Sequence, residues 1–287
     1  MDRFRSCTPG KAGSDNWVMT IIPPRLADAV DQFVTGFLHL ERAMRPVDDS
    51  AVPPVRHLHW PETGRRGERW TDEYFALDAD PAAVIAAIRS TNPGPHHFLS
   101  DIYSSRGRAR AMYQALGYHL TVFEPLMILD LSHPLKSPRH HVEDSVDLAV
   151  ARRLTDAQIR EHGSVRPTSQ TQIDDPNILL EIINVGGEPV AGGKGVLLGD
   201  ALYVSDISTL PSHRKQGLAA SIMTALHATA RDRGAHYAVL SATEMAASLY
   251  RTMGYQELAQ IDFYSPAPVD PDHTPELPHG PRETHRA

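Results

Sequence analysis

Three short apolar runs parted by glycine turns, then a basic glycine turn and a long amphipathic segment, set the terms for the whole chain. Ile178–Val185 is rich in β-branched residues and ends at Gly186-Gly187. Residues 189–197 follow, then Gly199-Asp200, then Ala201–Thr209. Runs of that length bounded by glycine read as an antiparallel meander of three strands. Residues 217–233 place Leu218, Ile222, Ala225, Leu226 and Thr229 at helical spacing, and Gly234 ends the helix. Residues 236–241 are the next strand, 244–253 a short helix stopped by Gly254, and 256–264 a closing strand. Upstream, residues 144–162 read as an opening strand and helix. A meander that passes into strand–helix–strand predicts an α/β (α+β) protein with a mixed, mostly antiparallel sheet flanked by helices.

The turn before the long helix is Arg214-Lys215-Gln216-Gly217-Leu218-Ala219. A strand leading into a helix N-terminus exposes N–H groups that have no partner inside the helix, at the positive end of its dipole. An anion such as a pyrophosphate can settle there. Gly217 and Ala219 let a ligand come close to the backbone, and Arg214 and Lys215 add charge at the mouth. Taken alone, the hexamer is also what an ordinary basic surface turn looks like.

Downstream, just past the apolar run 237–240, stands Ala246-Ala247-Ser248-Leu249-Tyr250-Arg251-Thr252-Met253-Gly254-Tyr255. Together the segments 207–220 and 239–255 resemble the GCN5-related N-acetyltransferase (GNAT) superfamily. The first is similar to its central acyl-CoA motif. The second is similar to its later A-x-x-L-Y-x-x-x-G-[FY] helix. The resemblance covers residues 143–265 and implies acetyl-CoA as acyl-donor co-substrate, with no metal. It implies that backbone groups of Thr209 and Leu210 bind the pantetheine arm, and that Arg214, Lys215, Gln216, Gly217, Leu218 and Ala219 meet the pyrophosphate. It assigns Tyr250 to donate a proton or hydrogen bond to the departing thiolate. Many relatives carry Asn seven residues before this tyrosine; here that position is Thr243, a shorter side chain, which puts the contact in doubt. The general base stays open between Asp206 on the central strand and Glu181 on the meander. His213 is placed at the cofactor entrance rather than as base.

The first half hides a repeat of the second. Ala109-Arg110-Ala111-Met112-Tyr113-Gln114-Ala115-Leu116-Gly117-Tyr118 parallels residues 246–255 at a constant offset, since 250 − 113 and 254 − 117 both give 137. Apolar runs at 98–103 and 120–131 flank it. The same offset sets residues 77–82 opposite 214–219, with Leu77 for Arg214 and Asp80 for Gly217. Two aspartates at a helix N-terminus repel a pyrophosphate but suit an ordinary helix start. Residues 15–132 are therefore read as a degenerate GNAT-like domain without a CoA site, in which Tyr113 is structural. Residues 133–142 read as a linker, 143–265 as the catalytic domain, 1–14 as a flexible N-terminus and 266–287 as a disordered tail. A chance Tyr–Gly match in an unrelated α/β domain is the competing account.

Composition narrows the partners. The formal net charge of −7 in 287 residues argues against broad nucleic-acid binding. Cys7 is the only cysteine, so neither an internal disulfide nor a thiolate metal cluster is expected. His273, His279 and His285 in the tail are spaced too irregularly for a dedicated metal site. No window approaches a membrane-spanning length of apolar residues, and Met1-Asp2-Arg3-Phe4-Arg5 opens without a secretory pattern. A cytoplasmic bacterial protein is expected, monomer or homodimer. Three functions stay open: an acyl-CoA-dependent N-acyltransferase acting on a small-molecule amine, an aminoacyl transferase drawing on charged tRNA, and a non-catalytic acyl-CoA-binding protein.

Overall fold

A computed structural model describes residues 26–61, 71–94, 97–103, 109–133, 137–143, 146–162 and 166–266. The expected flexible start and all but Pro266 of the expected disordered tail lie outside these residues.

The first half runs α1 (Leu26–Arg42), β1 (Asp48–Val52), β2 (Val55–His59), β3 (Asp72–Leu77), α2 (Pro81–Ser90), β4 (His97–Tyr103), α3 (Ala109–Ala115) and β5 (His119–Asp130). The second runs α4 (Leu148–His162), α5 (Gln170–Asp174), β6 (Ile178–Val185), β7 (Glu188–Leu198), β8 (Ala201–Thr209), α6 (Leu218–Asp232), β9 (Tyr237–Ser241), α7 (Glu244–Thr252) and β10 (Gln256–Ser265). No helix among the described residues is long and apolar enough to cross a membrane.

The ten strands among the described residues join one sheet, in the order β1-β2-β3-β4-β10-β5-β9-β8-β7-β6. Only β3–β4 and β8–β9 are parallel. The order is symmetric about its middle: each half contributes a meander and a parallel pair, and the two closing strands are exchanged. β10, at the end of the second half, lies between β4 and β5 of the first. β5 in turn pairs with β9 of the second. The sequence assigned residues 256–264 to the second half's own sheet, and the exchange reflects the equivalence of the two strands: each presents the same kind of apolar run to the same kind of neighbour.

Two further readings are corrected. Among the described residues 146–162 there is a helix and no strand, because Ala151, Leu154 and Ala157 are buried at helical spacing over a length that outweighs the brief alternation of Val146, Leu148 and Val150. The 137-residue offset holds at the helix starts, where Asp80 caps α2 as Gly217 caps α6, but fails just before them. The connector is residues 78–80 in one half and 210–217 in the other. Leu77 thus ends β3 and has no counterpart of the Arg214 turn around it. The Asp80 carboxylate accepts the Ala83 N–H at 3.0 Å and Pro81 occupies the first turn, a conventional helix start.

Side-chain alternation sorts the core into faces. Leu202 and Val204 of β8 pack with Leu218, Ile222 and Leu226 of α6. Tyr203 between them points the other way, against Phe33 of α1, with ring centroids 5.5 Å apart. The first half's leading helix therefore covers the back of the second half's sheet. Gly36 makes this possible: a Cβ there would stand 2.3 Å from the Cβ of Tyr203.

Candidate active site

β8 and β9 run side by side only briefly. Ala201, Leu202 and Tyr203 pair with Tyr237, Ala238 and Val239, and no register follows although β8 continues to Thr209 and β9 to Ser241. The cause lies in β8 itself. Its register against β7 slips between Gly192 and Lys194, and Asp206 takes a left-handed φ of 55°. A bulge of this kind bends and twists its strand away from the neighbour. The parted strands leave the Thr209 Oγ1 buried without a hydrogen-bond partner. In the first half the equivalent β3–β4 pair stays in register from Asp72–His97 through to Leu77–Ile102, so no gap opens.

At the end of β8 a short 3-10 turn, Pro211–His213, leads into the basic turn and α6. Lys215 and Gly217 both adopt positive φ, 61° and 81°. Such alternation turns successive N–H groups toward one concavity, an anion-binding nest at a helix N-terminus. A Cβ built on Gly217 meets nothing within 4 Å, so the space over the turn is open. A pyrophosphate fits the chemistry of this hollow, and the unsatisfied Thr209 hydroxyl fits a polar arm lying between the strands. The second half thus brings together Thr209, Arg214, Lys215, Gln216, Gly217, Leu218 and Ala219. Leu210 stands beside them, but its N–H is given to the Val190 carbonyl at 2.9 Å and its own carbonyl takes the His213 N–H at 2.8 Å. Thr243 caps α7, its Oγ1 accepting the Ala246 N–H at 3.3 Å.

Two residues of the expected linker also belong here. The backbone N–H groups of Arg139 and His140 donate to Ser221 Oγ on α6 at 3.2 and 3.3 Å. His140 Nε2 donates to the Gln216 carbonyl at 2.8 Å, holding the turn in shape. Nothing in their local sequence marked them.

The two base candidates are separated. Asp206 is ion-paired with Lys194 at 3.0 Å. Burial would raise its pKa, but Lys194 and then Arg166 outweigh this and hold the carboxylate below its ordinary value. Arg166 in turn pairs with the buried Glu41 of α1, which also accepts from Arg45 at 3.2 Å. Lys194 lies on the face of Val196, toward α1, whereas Glu181 shares the face of Leu179 and Ile183, toward α6. Lys194 was legible in hindsight: it is the lone charge in Ala191-Gly192-Gly193-Lys194-Gly195, inside a strand whose neighbours are buried.

Tyr250 is buried on α7, its ring 5.6 Å from that of Tyr255. Burial pushes its phenol well above the ordinary range, and the Glu124 carboxylate on β5 adds to the rise. Glu124, a buried acid in a strand contributed by the first half, was not singled out from sequence. Tyr113, the repeat's counterpart, is fully buried and packs on Tyr264 at 4.7 Å.

The pattern of the family described as "Acetyltransferase (GNAT) domain" matches residues 195–258, the stretch that holds the parted strands, the nest and α7. The second half carries a GNAT domain. Solved structures extend the likeness in fold to most of the chain. A GCN5-related N-acetyltransferase from Kribbella flavida superposes with a TM-score of 0.59 at 20% identity, covering 86% of this chain and 97% of its own. One from Sphaerobacter thermophilus gives a TM-score of 0.51 at 14% identity, over 73% of this chain and 79% of its own. No curated protein matches the chain. The mixed sheet flanked by helices is that of the GNAT fold.

Proposed function

We propose that this protein is an acyl-CoA-dependent N-acyltransferase that moves an acetyl group from acetyl-CoA to a primary amine of a small molecule. The supporting observation is the opening between β8 and β9 leading to the Gly217 nest, in the second half and not in the first. The nest takes the pyrophosphate, and the pantetheine lies along β8 with its thioester between the strands. The amine nitrogen attacks the thioester carbonyl carbon, the C–S bond breaks, and the thiolate leaves. Asp206 stands on β8, one of the two strands that border this opening. Its low pKa suits it to hold a cationic amine and relay its proton to water rather than to act as a strong base. Tyr250 stays protonated throughout and, being a far weaker acid than a thiol, acts by donating a hydrogen bond to the sulfur as charge develops there. We place the reaction in the cytoplasm.

Isothermal titration with CoA tests this reading. One equivalent should bind per chain, and Gly217→Glu should abolish binding in a protein whose circular dichroism is unchanged. Unaltered affinity in that variant, or two equivalents at saturation, would overturn it.

A further inference from the structure

The first half lacks the nest but gathers a different set of groups. His57 and His59 are two residues apart on β2 and so share one face. Asp72 of β3 stands in register opposite His59, and Tyr74 opposite His57. The ligand-capable atoms of His57, His59 and Asp72 all lie within 4.8 Å of one another, the one such trio among the described residues. His57 Nε2 is 2.8 Å and His59 Nδ1 2.9 Å from the same oxygen, Asp72 Oδ1.

The surroundings fix this geometry. Thr71 Oγ1 donates to the other carboxylate oxygen at 2.6 Å, which turns Oδ1 toward the two rings. The Tyr74 ring stacks on His57 at 4.4 Å with an interplanar angle of 9°. The Tyr74 hydroxyl is tied to Thr91 Oγ1 at 2.5 Å. His57 and Asp72 are largely buried, while the His59 side chain is 42% exposed and opens the trio to solvent. Although burial opposes ionisation, hydrogen bonds from His57, Thr71 and His59 keep Asp72 charged far below the ordinary carboxylate range. The shared architecture does not demand such a cluster: on the matching face of the other half, β8 presents Leu202 and Val204 to an apolar core.

We infer that His57, His59 and Asp72 form a binding site for a divalent transition-metal ion of the zinc class. Two imidazoles and a carboxylate are a donor set that zinc and cobalt accept, and three protein ligands leave a coordination position for water. Ligands at about 2.0–2.1 Å from one ion stand about 3–3.5 Å apart, so small ring rotations suffice to admit it. Strands β4, β10 and β5 separate this site from β9, so the ion plays no part in acyl transfer.

The test uses the full chain, stripped with chelator and titrated with Co²⁺ followed by absorption, then with Zn²⁺ followed by calorimetry. One equivalent should bind with a tetrahedral or five-coordinate cobalt spectrum. His59→Ala should weaken binding at least about 30-fold, since loss of even an outer-shell partner typically costs about 10–100-fold, while CoA affinity is unchanged. Asp72→Asn should do the same; if it does not fold, His59→Gln supplies the second reading. A stripped wild-type protein that takes up no ion, or a His59→Ala variant that binds as tightly as wild type, would refute the site.

Discussion

Gly36→Ala is a substitution for which two physical effects predict opposite signs. In an exposed helix, replacing glycine with alanine stabilises by about 1 kcal/mol, because alanine loses less backbone freedom. In α1 the new methyl group would lie 2.3, 2.4 and 2.7 Å from Cβ, Cγ and Cδ1 of Tyr203. Carbon atoms rest at about 3.5–4.0 Å, so the shortfall is more than 1 Å. Tyr203 cannot yield it, since its Cβ is fixed to a β8 backbone held by β7 on one side and β9 on the other. The helix has to retreat, and a gap of 0.5–1 Å forfeits roughly a quarter to a half of each dispersion contact it opens. Phe33, Val34, Phe37 and Leu38 of α1 are all buried. Overpacking of this kind costs about 1–3 kcal/mol, occasionally more. With an overlap this deep the cost falls at the upper end, about 3 kcal/mol, so a net loss of about 2 kcal/mol should remain after the propensity gain, and Tm should fall by about 4–8 °C at the usual 2–4 °C per kcal/mol. Urea melts and calorimetry of the purified variant measure this. A Gly36→Ala protein as stable as wild type would mean that α1 does not seat on Tyr203 as described.

Tyr250→Phe should keep CoA affinity and lower kcat about 100-fold, the scale of one hydrogen-bond donor aimed at a developing anion; single-turnover kinetics with acetyl-CoA and an amine acceptor would show it, and wild-type turnover would leave the tyrosine only a packing role. Asp101 on β4 is pushed up to about 7, by burial above all, with Asp262 opposite it on β10 adding to the rise. Since its folded pKa lies above the unfolded value near 3.9, its contribution to stability is whole below about pH 4 and is lost as pH rises through 7. Asp101→Asn should therefore flatten the decline in stability between about pH 4 and 7 and be more stable than wild type at pH 8, by up to about 4 kcal/mol; an identical pH profile would refute this. The isolated fragment 143–265 lacks α1 and β5, which bares Tyr203 and the free edge of β9, and should be insoluble or associated in sedimentation; a monomeric fragment with full activity would contradict the exchange.

Much of the second half could be read from its residues because its signals are local. Glycines at 186–187, 199, 234 and 254 punctuate the elements, and each adopts a positive φ. What could not be read was relational. Glu181 and Asp206 both sit in the meander as acids, and only the register shows that they serve opposite faces. The offset located both helix starts but could not reveal a shortened connector or the closed β3–β4 seam. Val146, Leu148 and Val150 imitated a strand because a helix start samples alternation for a few residues before its own period shows.

The exchanged strands also govern when the molecule can come into being. During synthesis β4 and β5 are complete more than a hundred residues before β10, the strand that lies between them. β5 must stay apart from β4, its nearest partner in the chain, until residues 256–265 arrive to occupy the place between them. Pairings of such long separation form slowly, and the waiting edges are open templates for any suitable strand. A second nascent copy can supply one, since its β10 is identical. The natural failure of this fold is therefore an intertwined pair of chains, each finishing the other's sheet, and dilution during refolding should favour the single chain.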